Sequence, residues 1–349
     1  MKPTQLQSVL AKSIAAKIPI LITGAPGIGK TEIIQAACDE AGADLLPVFA
    51  SMSDPTEPKG LPSKAQITMG QGTKRGKHLV NIAEFLPYGA LRRMKEATRP
   101  LVVFLDDFGQ STQAVQASWM QPLGAHVDGN GEKLSEHVTF IAATNRREDR
   151  AGVSGLLEPV KSRFTSIINL EVDVEAWIAW ALKNDVPIEL IAFIKYRPAL
   201  LHAFEVSNDM VNTPSPRTVY RLGTLLKLGL PPEVELDTYT GAVGSAFAAE
   251  FMGFLSIFRE LPNPDSIITN PDKVKVPTGK HAPSVSYAIC GAVARKTSDT
   301  NIDRIMRYIV RLPKEFQVLY IKDIDENVPG IQNTRAFIEW HSENSDLMI

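Results

Sequence analysis

Residues 24–31 read Gly-Ala-Pro-Gly-Ile-Gly-Lys-Thr, with the apolar run Ile18–Thr23 before them and a helical pattern after them. Few local sequences constrain a chain more. Glycine is the residue that lets a backbone reverse tightly without a side-chain penalty. Such a reversal points successive N–H groups inward, and the helix that follows adds its unpaired donors and partial positive charge. G-x-x-x-x-G-K-[ST] between an apolar strand and an amphipathic helix is therefore a cradle for nucleotide phosphates. Its residues are Gly24, Ala25, Pro26, Gly27, Ile28, Gly29, Lys30 and Thr31. Lys30 is expected at the β- and γ-phosphates, and the Thr31 hydroxyl on Mg²⁺. The competing reading is a chance glycine-rich turn.

A second signal is Leu101-Val-Val-Phe-Leu followed by Asp106 and Asp107. A buried strand ending in two acids sets carboxylates at the C-terminal edge of a sheet, where phosphates bind in α/β folds. Asp106 is expected to face Mg²⁺, and Asp107 to polarise a water toward the γ-phosphate. The bland alternative is an acidic strand cap.

Short apolar runs recur at Leu45–Ala50, Val138–Thr144 and Ser166–Leu170, near-continuous rather than alternating, as in parallel strands covered on both faces. Between them lie the helical patterns Thr31–Ala41, Tyr88–Ala97 and Gln113–Met120. That alternation predicts an α/β layer with a parallel sheet. From Val172 the pattern becomes helical: Val174–Lys183, Ile188–Phe204, Arg217–Lys227, Gly241–Phe258 and Ala288–Val310. Leu261–Ser284 reads as a loop or linker, and Phe316–Trp340 as mixed.

Taken together these segments resemble the AAA+ ATPases, and more closely their MoxR branch. Phe140-Ile-Ala-Ala-Thr-Asn145-Arg is similar to the sensor 1 strand of that family, with Asn145 as its polar residue. Leu156-Leu-Glu-Pro-Val-Lys-Ser-Arg163-Phe resembles the segment carrying the arginine finger, and Thr213-Pro-Ser-Pro-Arg217-Thr-Val the sensor 2 motif. The resemblance runs from about Ser8 to Lys227. It implies ATP and Mg²⁺ as ligands and Asp107, Asn145, Arg163 and Arg217 as catalytic residues. Arg163 would act on the neighbouring subunit's nucleotide. For both arginines the plain alternative is a surface salt bridge. Many related ATPases carry Glu where Asp107 stands; Asp is one methylene shorter.

The fold it implies is a P-loop NTPase αβα sandwich with a five-stranded parallel sheet of order 5-1-4-3-2, an all-α lid and a mainly helical C-terminal extension. The corresponding domains are 1–170, 171–235 and 236–349. The family also implies a homo-oligomeric ring, usually hexameric, that remodels a protein substrate, in this branch often a von Willebrand A-domain protein. The competing classes are a nucleic-acid-dependent motor or loader and a slow nucleotide-switched interaction module.

Loops qualify the partner reading. Ser51–Pro62 lacks the aromatic-hydrophobic pair of threading unfoldases; Met52, Leu61 and Lys59 are its nearest substitutes, and a contact-free loop is an equal alternative. Gly70–His78 is locally basic through Lys74, Arg75 and Lys77, but no aromatic residue interleaves for stacking on single strands. Nucleic acid is therefore a possible partner and not the favoured one. Val127–Lys133 carries Asp-Gly and Asn-Gly turn signals for a small hairpin. With Lys+Arg 37 against Asp+Glu 39, no whole-chain basic excess draws the protein to nucleic acid or membrane. The two cysteines make no disulfide framework, the six histidines lack metal-ligand spacing, and Trp177 and Trp180 read as core packing. Without a signal peptide or an apolar run of about 18 residues, the expectation is a soluble, cytoplasmic protein.

Overall fold

The structure is a computed structural model that describes residues 1–69, 78–149, 155–204, 210–259, 263–278 and 282–344. They fall into two compact units, Met1–Asp173 and Val174–Ile349.

The first unit runs α1 (Pro3–Ala15), β1 (Ile20–Thr23), α2 (Lys30–Ala41), β2 (Asp44–Phe49), β3 (Leu61–Met69), β4 (His78–Leu86), α3 (Gly89–Glu96), β5 (Leu101–Asp106), α4 (Gln113–Ser118), α5 (Met120–Ala125), β6 (Val138–Thr144), α6 (Glu158–Lys161) and β7 (Ser166–Asn169). Five strands form one parallel sheet in the order β2-β5-β6-β1-β7. Numbering only these five in chain order, the sheet reads 5-1-4-3-2 from its other edge, the order that the resemblance implies.

Successive residues of a strand point to opposite faces, and here each face has its own core. Leu21, Val103, Leu105, Phe140 and Ala142 pack with residues of α3, α4, α5 and α6. Ile20, Ile22, Val102, Phe104, Ile141 and Ala143 pack with α1 and α2. Helices on both faces explain why the strands read as unbroken apolar runs. Edge strand β7 departs from that pattern: Ile167 is exposed, because only β1 pairs with it.

Helix ends follow local chemistry. Gly42 closes α2 in the left-handed region (φ 62°), with its N–H on Asp39 O and the Ala43 N–H on Cys38 O. The Thr112 hydroxyl accepts from Val115 N to start α4. The run expected as one helix at Gln113–Met120 is divided, with Trp119 between α4 and α5. Between β2 and α3 stands a separate antiparallel pair, β3 with β4, in register from Leu61↔Leu86 to Met69↔His78. The basic segment 70–77 connects these strands and lies outside the described residues.

The second unit is helical: α7 (Val174–Lys183), α8 (Ile188–Tyr196), α9 (Pro216–Leu226), α10 (Pro232–Val243), α11 (Ser245–Arg259), α12 (Pro264–Thr269), α13 (Ala282–Ala294), α14 (Ile302–Ile309), α15 (Lys314–Asn327) and α16 (Arg335–Glu343). The helix expected over Ile188–Phe204 stops at Tyr196, since Arg197 precedes Pro198 and leaves helical geometry there. Gly244, at φ 83°, separates α10 from α11 inside the expected Gly241–Phe258 helix. The expected Ala288–Val310 helix breaks over the polar stretch 295–301. The expected loop 261–284 contains α12 and the start of α13. Trp177 is buried as expected, whereas Trp180 is partly exposed and meets Tyr220 edge-on at 5.2 Å.

Among the described residues no helix is long and apolar enough to cross a membrane, and no three His, Cys, Asp or Glu side chains gather as metal ligands.

Candidate nucleotide site

The turn between β1 and α2 is built on its glycines, for two different reasons. Gly27 and Gly29 have φ of 74° and 92°, a region that side-chain-bearing residues enter only with strain. Gly24 is required by packing: a β-carbon there would stand 2.6 Å from Ile28 Cδ1 and 3.1 Å from Leu170 O. Ala25 and Ile28 are buried beside them, and Pro26 is half-buried.

Lys30 opens α2 and is almost wholly buried. Its ammonium donates to Gly24 O at 2.9 Å, Ala25 O at 3.0 Å and Asn145 Oδ1 at 2.7 Å. A buried cation is held only where acceptors replace its water, so the turn and the Asn145 amide form one polar pocket around this ammonium. Thr31, the next residue, is half-buried on the first turn of α2.

Asn145 follows the last residue of β6 and is itself buried. Its Nδ2 reaches Asp107 Oδ1 at 3.5 Å, a long contact. Asp106 ends β5, and one of its carboxylate oxygens accepts from the Asp107 N–H at 3.0 Å. Asp107 adopts φ 51°, a left-handed conformation that turns the chain out of the sheet into the 3₁₀ turn Phe108–Gln110. Asp and Asn tolerate that region better than most residues. Parallel pairing of β5 with β6, and of β6 with β1, brings the C-terminal ends of the three strands side by side. Lys30, Asn145, Asp106 and Asp107 thus share one sheet edge, although the chain places them far apart.

Directly after Asn145, Arg146 makes a two-pronged ion pair with Asp149, Nε–Oδ2 at 3.0 Å and Nη2–Oδ1 at 2.9 Å. That pair pushes the arginine above its ordinary pKa despite its partial burial. Arg146 lies inside the sensor-like motif of the sequence, but nothing there marks it as the anchor of the following turn.

Arg163 takes no part in this hydrogen-bond network among the described residues. Arg163 is exposed, one residue before the buried Phe164, and makes no carboxylate pair among the described residues. Arg217 is exposed on the first turn of α9, in the second unit, and is likewise unpaired among the described residues. The helix start expected there has a capping box: Thr218 N donates to Ser215 Oγ at 3.3 Å, and Ser215 N to Thr218 Oγ1 at 2.8 Å, with Pro216 at the first position.

Two loops of the first unit interlock. The 127–133 turn closes through a Val127↔Lys133 bridge, as its turn signals predict. Gly129 N donates to Pro58 O at 2.8 Å, and Asn130 Nδ2 to Lys59 O at 2.6 Å, tying it to the loop after β2. The Lys59 ammonium in turn lies 4.6 Å from the centre of the Phe85 ring on β4. Asp128 is fully buried and takes Lys95 Nζ at 2.7 Å. Met52, Leu61 and Leu86 remain exposed at 85%, 51% and 52%. The β3–β4 pair, which no apolar run marks in the sequence, supplies two of those three side chains. Its signal is the glycine-rich stretch 70–76 flanked by two mixed apolar and polar runs.

Residues 20–172 match the family model described as "ATPase family associated with various cellular activities (AAA)", so the first unit carries an AAA ATPase family domain. The "ATPase family gene 2 protein homolog B" of Bos taurus is 27% identical over 143 residues, 38% of this chain and 16% of that protein. The chain therefore spans a small part of that relative's length. Among solved structures, the RuvB Holliday junction branch migration motor of Thermotoga maritima is similar over 88% of this chain and 86% of that one. Its sequence identity is 14% and its TM-score 0.38. NtrX from Brucella abortus in complex with ADP is similar over 99% of this chain and 68% of that one, at 14% identity and a TM-score of 0.41.

Proposed function

We propose that this protein is a Mg²⁺-dependent ATPase of the MoxR-like branch, acting as a ring, usually of six copies, that remodels a partner protein. The observation that carries the reading is the buried contact of Lys30 with Asn145, with Asp107 in reach of the same amide. A cation, an amide and a carboxylate on one sheet edge are the groups that hold a phosphoryl group and orient a water against it.

Thr31 and Asp106 offer the hydroxyl and carboxylate oxygens that a hard cation takes. They would hold magnesium, which offsets charge on the β- and γ-phosphate oxygens. Lys30 places its ammonium at those phosphates, the glycine turn 24–29 supplies backbone donors, and Asn145 and Asp107 orient the attacking water. Arg163, exposed and free of an internal acid among the described residues, is assigned to the nucleotide of a neighbouring copy, and Arg217 to the γ-phosphate from the lid. The domain assignment is a nucleotide domain over 1–170, a lid over 171–235 and an extension over 236–349.

The remodelling reading draws on Met52, Leu61 and Leu86, large apolar side chains exposed on the loop after β2 and at the base of the β3–β4 pair. Exposed apolar groups suit a protein partner better than a phosphate backbone. By the MoxR resemblance that partner is a von Willebrand A-domain protein.

Steady-state ATP turnover, measured against protein concentration with and without Mg²⁺, tests the proposal. Turnover should require Mg²⁺, rise more than proportionally as copies assemble, and rise again with a von Willebrand A-domain protein. Turnover that instead rises manyfold with DNA or RNA, and falls steeply with salt, would give the assignment to a nucleic-acid motor. Binding without measurable hydrolysis at any concentration would leave a nucleotide switch.

A further inference from the structure

The stem of Arg163 lies across Gly124. A β-carbon on Gly124 would stand 2.6 Å from both Cδ and Nε of Arg163 and 3.3 Å from its Cζ, closer than side chains pack. Gly124 belongs to α5, and its backbone is not among the glycines with positive φ. Conformation therefore gives no reason for glycine here. Helix propensity argues against it, since alanine is favoured over glycine at a helical position.

What the missing side chain provides is room. Val160 and Phe164 are buried on either side of the arginine in sequence, and Arg163 N donates to Val160 O at 3.0 Å, so its backbone is fixed. Phe164 packs edge-on against Phe108 at 6.2 Å, and Phe108 directly follows Asp107. The arginine's base is thus tied to the acidic turn, its stem rests on α5, and its residue stays exposed.

We propose that Gly124 is a positioning residue: the groove left by its absent side chain aligns the Arg163 guanidinium for the nucleotide of a neighbouring copy. This rests on the reading that Arg163 acts across subunits. Glycine at 124 trades helix stability for the direction of one side chain, so an added methyl should move stability and turnover in opposite directions.

The test is a double-mutant cycle of Gly124→Ala and Arg163→Ala in the full chain, reading nucleotide affinity, melting temperature and ATP turnover at assembling concentration. An arginine finger is worth about 10³–10⁵ in rate, so displacing it should slow Gly124→Ala by about tenfold or more. Its nucleotide affinity should stay that of the parent and its melting temperature should not fall. The double variant should be no slower than Arg163→Ala alone, because the groove has no task once the arginine is gone. A melting temperature that falls in Gly124→Ala and stays low in the double variant overturns the proposal, because the added methyl then clashes with more than the arginine. Full turnover in Gly124→Ala beside a slow Arg163→Ala overturns the role of Gly124, as do losses that multiply in the double variant. Full turnover in Arg163→Ala overturns the trans-acting arginine instead.

Discussion

Lys30 and Asn145 meet at 2.7 Å, ammonium to amide oxygen, and this one contact joins the phosphate turn after β1 to the end of β6. Each residue is held by what the other offers. The lysine needs acceptors because it is buried, and the amide, with its oxygen committed to the lysine, turns its nitrogen toward Asp107. A fixed amide orientation is what a water-positioning group requires, since a freely rotating one would present donor and acceptor alike.

Replacing Lys30 with Ala should weaken ATP binding by about tenfold or more, because a hydrogen bond to a charged group is worth about 1.5–3 kcal/mol. Isothermal calorimetry with ATP and with ADP reads it. Affinity within twofold of the parent would remove the lysine from the phosphates.

Asp107→Asn and Asn145→Ala should separate binding from chemistry. Each variant should keep nucleotide affinity within a few-fold and lose turnover by about 10²-fold or more, the usual worth of a positioned proton acceptor or orienting group. An Asp107→Asn enzyme with full turnover would show that another group positions the water.

Gly29 sits at φ 92° with open space around it, the nearest atom to an added β-carbon being Glu32 Oε2 at 3.9 Å. Gly29→Ala should therefore strain only the backbone, costing about 1–2 kcal/mol. The melting temperature of the first unit should fall by a few degrees, and nucleotide affinity should drop as the turn's N–H groups lose alignment. A variant as stable and as tight-binding as the parent would show that the turn tolerates a side chain.

Acid stability should depend on Glu235. This carboxylate is buried and takes Arg259 at 2.8 and 2.5 Å, with the Tyr239 hydroxyl at 3.1 Å. The Arg259 contact first, and Tyr239 after it, hold it below the ordinary glutamate range despite burial. A depressed folded-state pKa means the pair stabilises above about pH 4.3, the unfolded value. That contribution is lost as pH falls through the lower folded value. Glu235→Gln should cost about 1–2 kcal/mol at neutral pH and flatten the acid limb of a urea-unfolding series between pH 3 and 5 (roughly the titration range of carboxylates). An unchanged acid limb would place the acid sensitivity elsewhere.

Both cysteines should be inert in the folded protein. Burial, with Asp39 adding to it, pushes the Cys38 thiol up to about 12, and burial raises Cys290 as well. A disulfide-exchange reagent at pH 8 should label neither until denaturant is added. Stoichiometric labelling of the native chain would show that one of them opens to solvent.

Much of this arrangement is legible in the order of residues along the chain. The phosphate turn, Asp106, Asp107 and Asn145 are recognisable because strand, turn and acid come in a fixed local order, and hydrophobic periodicity reports burial on two faces. The five parallel strands fall close to their apolar runs for the same reason. Less legible are the breaks inside long apolar stretches. Gly244 and the polar run 295–301 end helices through backbone conformation and loss of a buried face, signals that a generally apolar stretch masks. The β3–β4 pair is hidden because its strands stand outside the five-stranded sheet and mix apolar with polar residues instead of showing the unbroken apolar run that marks the others.

The order of residues along the chain sets the chemistry available to this protein: a glycine turn with its lysine, two carboxylates after a buried strand, an asparagine after another. Which of these groups touch follows from the folded arrangement. Pairing of β5, β6 and β1 sets Lys30, Asn145 and Asp107 at one edge, and the fold lays Arg163 over Gly124. The reason is that side-chain identity and short-range pattern are encoded locally, whereas contact between distant residues exists only once the sheet order and the helices packed on it have been formed.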